Sequence, residues 1–524
     1  MSEPGGMVVD EVGRPANGTR SKSEIEIKLR IAPGRADEVR HSAWFAGAGG
    51  ETAQLRATYF DTAEGDLRGA GVTLRVRSRN RGYPVQCLKL ARDPVRSFAR
   101  REIEVELRDR GPSPEAFDAE TAAILARLTG ARKLVAVFDT RVRRQVRTIA
   151  QGSSQIELAL DEGHILCGGT RHAVLELELE LKTGREADLL DLAEAMLAVL
   201  PVCLDFESKG ERGFRLSTDQ HPPATKALPV AIEPGSGFDD AVEAVLANTL
   251  AHFTANWLPL RVTQAAESVH QMRVALRRMR TALNVFARAA PCAAFAALDG
   301  DAQDLAARLA AARSCDVFLA DARNRAFAGA APPEGHDILV AAAEDRRNAA
   351  YAQALASVDG SPASRFVLAV RRVLVERPWT IGGDPATQPA CAADFARSEL
   401  SRLAARCRKR GKGLPGFTDA ERHRLRIALK KLRYGCEFFA SLLGHRRAQK
   451  TYLAALAELQ ESLGLCNDLV AARQFLADLK IAHGPKVDMA AGYMLGWHAR
   501  DVELAEARLM RVWKSFRKAR RFWD

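Results

Sequence analysis

Residues 175–184 read LELELELKTG. Leu175, Leu177, Leu179 and Leu181 alternate without a break with Glu176, Glu178 and Glu180. Successive side chains of a β-strand point to opposite faces, so this run predicts a strand with one apolar and one acidic face. Six further runs alternate in the same way: Glu24 to Lys28, Thr73 to Arg77, Gln86 to Lys89, Arg101 to Leu107, Arg141 to Arg143 and Ile156 to Asp161. On pattern alone, a sheet with one solvated face would read like this.

The charges, however, are sorted by strand. Carboxylates dominate Glu24/Glu26, Glu102/Glu104/Glu106 and Glu176/Glu178/Glu180, while cations dominate Arg75/Arg77 and Arg141/Arg143. A merely soluble surface would mix the signs and carry more Ser, Thr, Asn and Gln. A sheet curled into a closed barrel with its charged face inward accounts for both observations. Its apolar face would then lie outward beneath covering helices, for which 36–46, 114–129 and 185–200 are the candidates.

Such an interior suits phosphate. Guanidinium and ammonium groups match phosphate oxygens, Arg bidentately. Clustered carboxylates would repel a triphosphate unless hard cations lay between them, and Mg²⁺ and Mn²⁺ bridge carboxylates to phosphates. Cations and carboxylates facing one cavity form a phosphoryl-transfer constellation.

At these residues the chain resembles the CYTH superfamily, the triphosphate tunnel metalloenzymes. The resemblance starts at Glu24-x-Glu26-x-Lys28. It continues in order through TYFDT (58–62), LRVRSR (74–79), LKL (88–90), RREIEVEL (100–107), VFDTRVRR (137–144), ALDEG (159–163), LELELELKTG (175–184) and SKGERGF (208–214). It covers residues 21 to 216. The resemblance implies an eight-stranded antiparallel tunnel that binds triphosphate and needs Mg²⁺ or Mn²⁺. Members of the family hydrolyse inorganic triphosphate, thiamine triphosphate or RNA 5′-triphosphates, or act as adenylyl cyclases. Carried over by motif position, Lys28, Arg75, Arg77, Lys89, Arg141, Arg143 and Lys209 would grip phosphate. Glu24, Glu26, Glu176 and Glu178 would bind metal or orient water and, with Lys28, form the catalytic set. Glu102, Glu104 and Asp161 join them as metal ligands. Which of Glu102, Glu104 and Glu106 serves the site stays open, as does the role of Glu180. The implied chemistry is in-line attack of water on a terminal phosphorus.

With 524 residues the chain is too long for one ordinary core. Lys plus Arg number 77 against 65 Asp plus Glu, a net charge of +12 that suggests an anionic partner. The nine cysteines are scattered singly without a CxxC pair, which predicts a reducing cytoplasm and no structural zinc. Residues 1–20 are polar and Gly-rich, lack the apolar core of a signal peptide, and are expected to form a disordered tail. No stretch reaches the roughly 18 consecutive apolar residues of a membrane helix, so no membrane partner is expected.

The character changes near residue 220. A tunnel domain over 21–218 gives way to a linker over 219–237, whose 221–237 stretch holds four prolines, and then to helical periodicity over 238–524. That half contains a repeat: His270-x-x-Arg273-x-x-x-Arg277-Arg278-x-Arg280 matches His423-x-x-Arg426-x-x-x-Lys430-Lys431-x-Arg433. On a helix, positions i, i+3, i+7 and i+10 fall within an arc of about 80° and span about 15 Å. His270, Arg273, Arg277 and Arg280 therefore make one stripe, and His423, Arg426, Lys430 and Arg433 another. Met272, Leu276 and Met279, with Leu425, Leu429 and Leu432, are left to pack. Like charges at this spacing destabilise a helix slightly, so the repetition suggests an anionic ligand that offsets the repulsion.

The repeat resembles the CHAD domain, a helical module of two pseudo-symmetric bundles that binds inorganic polyphosphate and often follows a CYTH domain. KKLRYGCEFF (430–439) and LQESLGLCNDL (459–469) extend the match, whereas Arg313 and Asp316 flank an insertion that departs from the family pattern. The resemblance covers 238 to 515, with 379–390 as the connector between bundles. It implies that the eight stripe residues hold polyphosphate, the two histidines as neutral hydrogen-bond donors.

The expected fold is therefore α+β: a β-tunnel with covering helices, then an all-α domain of two bundles. The expected function is metal-dependent hydrolysis of inorganic triphosphate or related substrates, with polyphosphate binding by the helical half. A cytoplasmic location, in association with polyphosphate granules, follows from that reading. Retention of polyphosphate without turnover is the main alternative, and cyclisation of ATP a lesser one. A nucleic-acid partner is disfavoured because the helical half shows no aromatic stacking platform.

Overall fold

The computed structural model describes residues 20–46, 50–80, 82–91, 98–130, 132–324, 331–381, 389–444 and 446–524. The expected tail therefore lies outside the described residues up to Arg20, as do positions 382–388 of the connector expected over 379–390. The chain forms two compact units. One comprises residues 1–223 with 257–263 and 358–376; the other comprises 224–256, 264–357 and 377–524.

In the first unit the strands are β1 (Arg20–Ile31), β2 (Glu51–Asp61), β3 (Thr73–Arg79), β4 (Val85–Lys89), β5 (Ala99–Glu106), β6 (Val135–Gln151), β7 (Ser154–Cys167), β8 (Thr170–Thr183) and β9 (Val202–Leu204). Eight of them close a ring in the order β1-β5-β4-β3-β2-β6-β7-β8 and back to β1. Every pairing is antiparallel. Closure depends on β1, which pairs with β5 over Arg20–Ile25 and with β8 over Glu26–Arg30. Short β9 adds beside Leu29–Ile31.

The period-2 pattern sorts the two faces. Ile27, Leu29, Leu74, Leu88, Ile103, Leu158, Leu160, Leu177 and Leu179 are buried on the outer face, while the charged residues between them point inward. Helices Ala36–Arg40, Ala119–Thr129 and Glu186–Val199 lie in the three segments expected to cover the barrel. Phe117 and Leu125 pack with Leu74, Val76, Leu88 and Ile103, and Leu189, Leu190, Ala193 and Met196 are buried along the third helix.

β2 was not among the seven alternating runs. Leu55, Ala57 and Tyr59 supply its inner face, so it lacks the alternation of charge that marks the others. Ala57 and Tyr59 instead join Phe138, Val142, Ile165, Val174 and Phe214 in an apolar cluster at one end of the barrel. Tyr59 stacks on Phe138 at 4.5 Å, and Phe138 meets Phe214 edge-on at 5.1 Å. Phe214 belongs to the helix Lys209–Thr218, which starts with a capping box: Ser208 Oγ accepts the Glu211 N–H at 3.2 Å and the Glu211 carboxylate accepts the Ser208 N–H at 2.7 Å. This helix presses so closely on the barrel that a Cβ on Gly213 would lie 2.0 Å from the Phe138 ring.

Two helices from later in the chain belong to this unit. Helix Ser361–Glu376 lies along Glu186–Val199, where Arg371 pairs with Glu186 at 2.6 Å and Arg372 with Asp191 at 2.7 Å. Ser364 Oγ accepts the Leu204 N–H at 3.0 Å. The other is Trp257–Thr263.

The second unit is helical. Helices Phe238–Thr254, Ala266–Phe286, Ala293–Arg308, Ala310–Asn324 and His336–Val358 precede Ala392–Arg410, Asp419–Phe438, Arg446–His483 and Asp488–Lys518. Residues 219–237 carry no helix or strand, yet their later part is packed: Val230 and Ile232 are buried, and the Ile232 N–H donates to Ser441 Oγ at 3.0 Å. Phe286 and Phe439 occupy equivalent positions of the repeat and meet at 6.2 Å, joined by Phe238 and Phe395. Met272, Leu276, Met279, Leu425, Leu429 and Leu432 are buried as the stripe geometry required. Among the described residues no helix is long and apolar enough to cross a membrane.

Gly213→Ala should lower the unfolding temperature of the tunnel unit, with a loss of about 1–3 kcal/mol from overpacking against Phe138. Thermal unfolding followed by near-ultraviolet circular dichroism checks this.

Candidate functional site

Inside the barrel, beside the apolar end, charged residues from all eight strands of the ring line a cavity of about 500 Å³. Its wall includes Glu24, Glu26, Arg75, Arg77, Lys89, Glu102, Glu104, Arg144, Glu178, Glu180 and Lys209. A smaller recess, lined in part by Lys28, Tyr59, Phe206 and Gly210, lies against the helix Lys209–Thr218.

The deepest group is acidic. Asp161 and Glu176 are fully buried, and together with Glu178 they offer oxygens within 4.8 Å of one another. Lys209 Nζ donates to all three, at 2.6 Å to Asp161, 2.6 Å to Glu176 and 2.7 Å to Glu178. Lys28 Nζ donates to Glu26 at 2.9 Å, to Glu176 at 3.3 Å and also to Glu178. Arg144 grips Asp161 at 2.7 and 2.6 Å and reaches Glu178. On the opposite wall Lys89 pairs with Glu24 at 2.9 Å and Glu102 at 3.2 Å, Arg75 with Glu102 at 3.1 Å, and Arg77 with Glu104 at 3.1 Å.

Burial opposes every one of these charges, and the partners decide the outcome. Glu178 stays well below the usual carboxylate range because Lys209, Lys28 and Arg144 outweigh burial. Asp161 is lowered by Lys209 and Arg144 in the same way, and Glu26 by Lys28. Lys28 and Lys209 are correspondingly raised by the carboxylates around them. Glu24 behaves differently. Burial and its hydrogen bond to Glu102 push it up to about 8, whereas Lys89 holds Glu102 far below its ordinary value. The two carboxylates thus titrate as a coupled pair, with Glu24 the member pushed up and Glu102 the member held down.

Among the described residues, two groups could hold a metal ion. Asp161, Glu176 and Glu178 offer only oxygen, and Glu176 Oε2 is buried without a hydrogen bond. That donor set fits a hard cation such as Mg²⁺ or Mn²⁺. Cys87, Glu102 and Glu104 form the second group, but burial pushes the Cys87 thiol up to about 12, leaving a neutral soft donor that suits a hard ion poorly.

The structure brings together Glu24, Glu26, Lys28, Arg75, Arg77, Lys89, Glu102, Glu104, Asp161, Glu176, Glu178 and Lys209. It does not bring in Arg141 and Arg143. Both are exposed on the outer parity of β6, where Arg143 lies 3.6 Å from Glu162. The inward arginine is Arg144, directly across from Asp161 in the β6–β7 register. The run Arg141-Val142-Arg143-Arg144 carries arginine on both parities, so alternation alone could not choose between them. The hairpin could have: Gln151 pairs with Ser154 around Gly152, whose φ is +56°, and counting back from that turn sets Arg144 against Asp161. Glu106 is exposed, whereas Glu180 faces the cavity.

In the helical unit the two stripes face one another, and they are crowded. Burial and the charges of Arg277, Arg426 and Arg273 push Lys430 down to about 7, with Asp468 opposing. Burial and Arg313, Arg277 and Lys430 push His270 down to about 4, so its ring is neutral at physiological pH as expected. Arg273 falls to about 10 through burial, Arg277 and Arg313. Arg313 thus belongs to this cationic group, while Asp316 is tied to Arg347 and Tyr351, each at 2.8 Å. The last member of each stripe is neutralised instead: Arg280 pairs with Asp299 at 3.1 Å and Arg433 with Glu437 at 2.8 Å.

Comparison with known proteins agrees with both halves. The CYTH domain family matches residues 22–214 and the CHAD domain family residues 244–477. An inorganic triphosphatase of Haemophilus influenzae is 26% identical over 203 residues, 38% of this chain and 56% of that protein. The chain thus spans little more than half the length of that relative. The crystal structure of the CHAD domain from the plant Ricinus communis is 29% identical, with a TM-score of 0.50 over 57% of this chain and 98% of that one. PptA from Streptomyces chartreusis is 19% identical, with a TM-score of 0.40 over 53% of this chain and 100% of its own. Taken with the closed antiparallel tunnel and the repeated basic helix, the two family matches show that the chain carries a CYTH domain over 22–214 followed by a CHAD domain over 244–477.

Proposed function

We propose that the tunnel hydrolyses phosphoanhydride bonds of inorganic triphosphate or related short polyphosphates with Mg²⁺ or Mn²⁺, and that the helical unit binds inorganic polyphosphate. The observation that carries this reading is the oxygen-only group of Asp161, Glu176 and Glu178, surrounded by Lys28, Arg144 and Lys209 in one cavity. The inorganic triphosphatase similar to the tunnel segment supports it. A divalent cation bound by Asp161, Glu176 and Glu178, with Glu24, Glu26, Glu102 and Glu104 near by, would neutralise substrate charge and polarise a phosphoryl oxygen. Lys28, Arg75, Arg77, Lys89, Arg144 and Lys209 would exchange their carboxylate partners for phosphate oxygens and stabilise charge as it develops. The apolar cluster of Tyr59, Phe138 and Phe214 packs at one end of the barrel, a placement that favours attack at a chain terminus over passage of a long chain.

Purified full-length protein should release phosphate from inorganic triphosphate with Mg²⁺ or Mn²⁺ and not with chelator. Glu24→Gln/Glu26→Gln and Glu176→Gln variants should lose about 100-fold or more. No release above the variants with either metal would favour retention of polyphosphate without turnover, and release that persists with chelator would overturn the metal-dependent mechanism.

The inward arginine gives a sharper contrast. Arg144→Ala should lower kcat/KM about 100-fold, whereas Arg141→Ala and Arg143→Ala should stay within about twofold because both side chains lie outside the cavity.

Polyphosphate binding should weaken as pH rises through 7. Lys430 faces Arg273 and Arg277 from one helix, Arg426 on its own and Asp468 from a third, and titrates near 7 in the free unit. A polyanion favours its charged form, so binding takes up a proton above that pH and affinity falls by at most about tenfold per unit. Titration calorimetry from pH 6 to 9 reads this directly, and Lys430→Arg should flatten the profile.

A further inference from the structure

Asp205 and Glu207 are 5% and 3% exposed, in the short segment between β9 and the helix Lys209–Thr218. Two adjacent buried carboxylates are stable only with countercharge. Three arginines supply it. Arg212 lies 3.0 Å from Asp205 and 3.5 Å from Glu207; Arg215 donates to Glu207 at 2.7 and 3.1 Å; Arg261 lies 3.2 Å from Asp205 and 3.7 Å from Glu207. Arg212 and Arg215 stand on the helix that begins with Lys209, and Arg212 also comes within 3.6 Å of Glu176 Oε2. The acidic pair therefore acts as a clamp on the height and rotation of that helix, and so on where the Lys209 ammonium sits among Asp161, Glu176 and Glu178.

Arg261 is the one member of this clamp that lies within the CHAD match. It lies on Trp257–Thr263, within the CHAD match, in a segment that belongs to the tunnel unit. A second such segment reinforces the same corner: Asp359 pairs with Arg30 of β1 at 3.1 Å, and Ser364 holds the Leu204 N–H of β9. Three residues after Thr263 begins Ala266–Phe286, the helix that carries His270, Arg273 and Arg277.

We infer that Arg261 is a positioning residue of the tunnel: through Asp205 and Glu207 it fixes the helix that sets Lys209, so the sequence leading into the basic stripe helix completes the tunnel site. This rests on the reading of the tunnel as a triphosphate hydrolase for its kinetic test, but not for its structural one. Full-length protein carrying Arg261→Ala should show kcat/KM for triphosphate with Mn²⁺ reduced about tenfold or more, the scale of a displaced catalytic group. Arg261→Lys should recover much of the loss. In a Lys209→Ala background Arg261→Ala should cost little further, because both act through one ammonium. Fully additive losses, or an unchanged kcat/KM, would overturn the inference.

Hydrogen exchange supplies the readout that does not need turnover. Arg261→Ala should speed exchange of the amides of residues 209–218 while those of β7 keep their protection, and Arg261→Lys should restore them. Unchanged exchange in 209–218 would also overturn the inference. Loss of protection across β7 as well would show general unfolding and overturn it equally. Should wild-type protein release no phosphate, the hydrolase reading fails, and the exchange result alone decides the role of Arg261.

Discussion

The Lys209 ammonium, held at once by Asp161, Glu176 and Glu178, is the interaction on which the tunnel depends. Three carboxylates brought together in a barrel interior would force one another to protonate or drive the strands apart. Lys209 and Lys28 prevent this from within the cluster, and Arg144 from its side. The same compensation recurs on the facing wall with Lys89, Arg75 and Arg77. Breaking one such buried pair by removing a single partner costs about 3–5 kcal/mol, so stability and the site draw on the same side chains. On the proposed function, a triphosphate arriving with its cations would bring the mirror image of this charge set and could exchange partners without leaving a buried charge bare.

The helical unit solves the opposite problem. In the tunnel almost every inward cation has a carboxylate; along the central part of the two stripes Arg273, Arg277, Arg426 and Lys430 crowd one another, with Asp468 opposing. The pKa values of Arg273, Arg426 and Lys430 are depressed where those of the tunnel lysines are raised. On the proposed function, the internally neutralised site would select a ligand carrying its own cations, and the one left with excess positive charge a bare polyanion. Arg280 and Arg433, which the periodicity grouped with the stripes, belong to neither class because Asp299 and Glu437 already neutralise them.

Much of the fold was legible because strand faces in this barrel are written in charge. Wherever apolar and like-charged residues alternate, as in β1, β3, β5 and β8, the sequence announced both the strand and its inward face. The signal failed where that contrast disappeared. β2 turns Leu55, Ala57 and Tyr59 inward, so nothing separated inside from outside. β6 carries arginine on both parities, and only the hairpin register reveals that Arg144 is the inward one. Cys87 shares the inward parity of Lys89, but an uncharged cysteine does not by itself mark a place beside Glu102. Arg261, Asp205 and Glu207 were invisible for a different reason: they meet through tertiary packing of segments more than fifty residues apart, and no periodicity records that.

The chain passes back into the tunnel unit twice after leaving it, at 257–263 and again at 358–376. On a ribosome the β-strands emerge long before the helix that holds the β9 amide and the arginine that clamps the Lys209 helix. Domains generally fold as units while synthesis proceeds from the N-terminus. Here the barrel must wait, with its last helix and outer edge incompletely held, until residue 376 is available. Completion of the tunnel is thereby tied to synthesis of a large part of the helical half, and a truncated product would carry a barrel without its full set of supports.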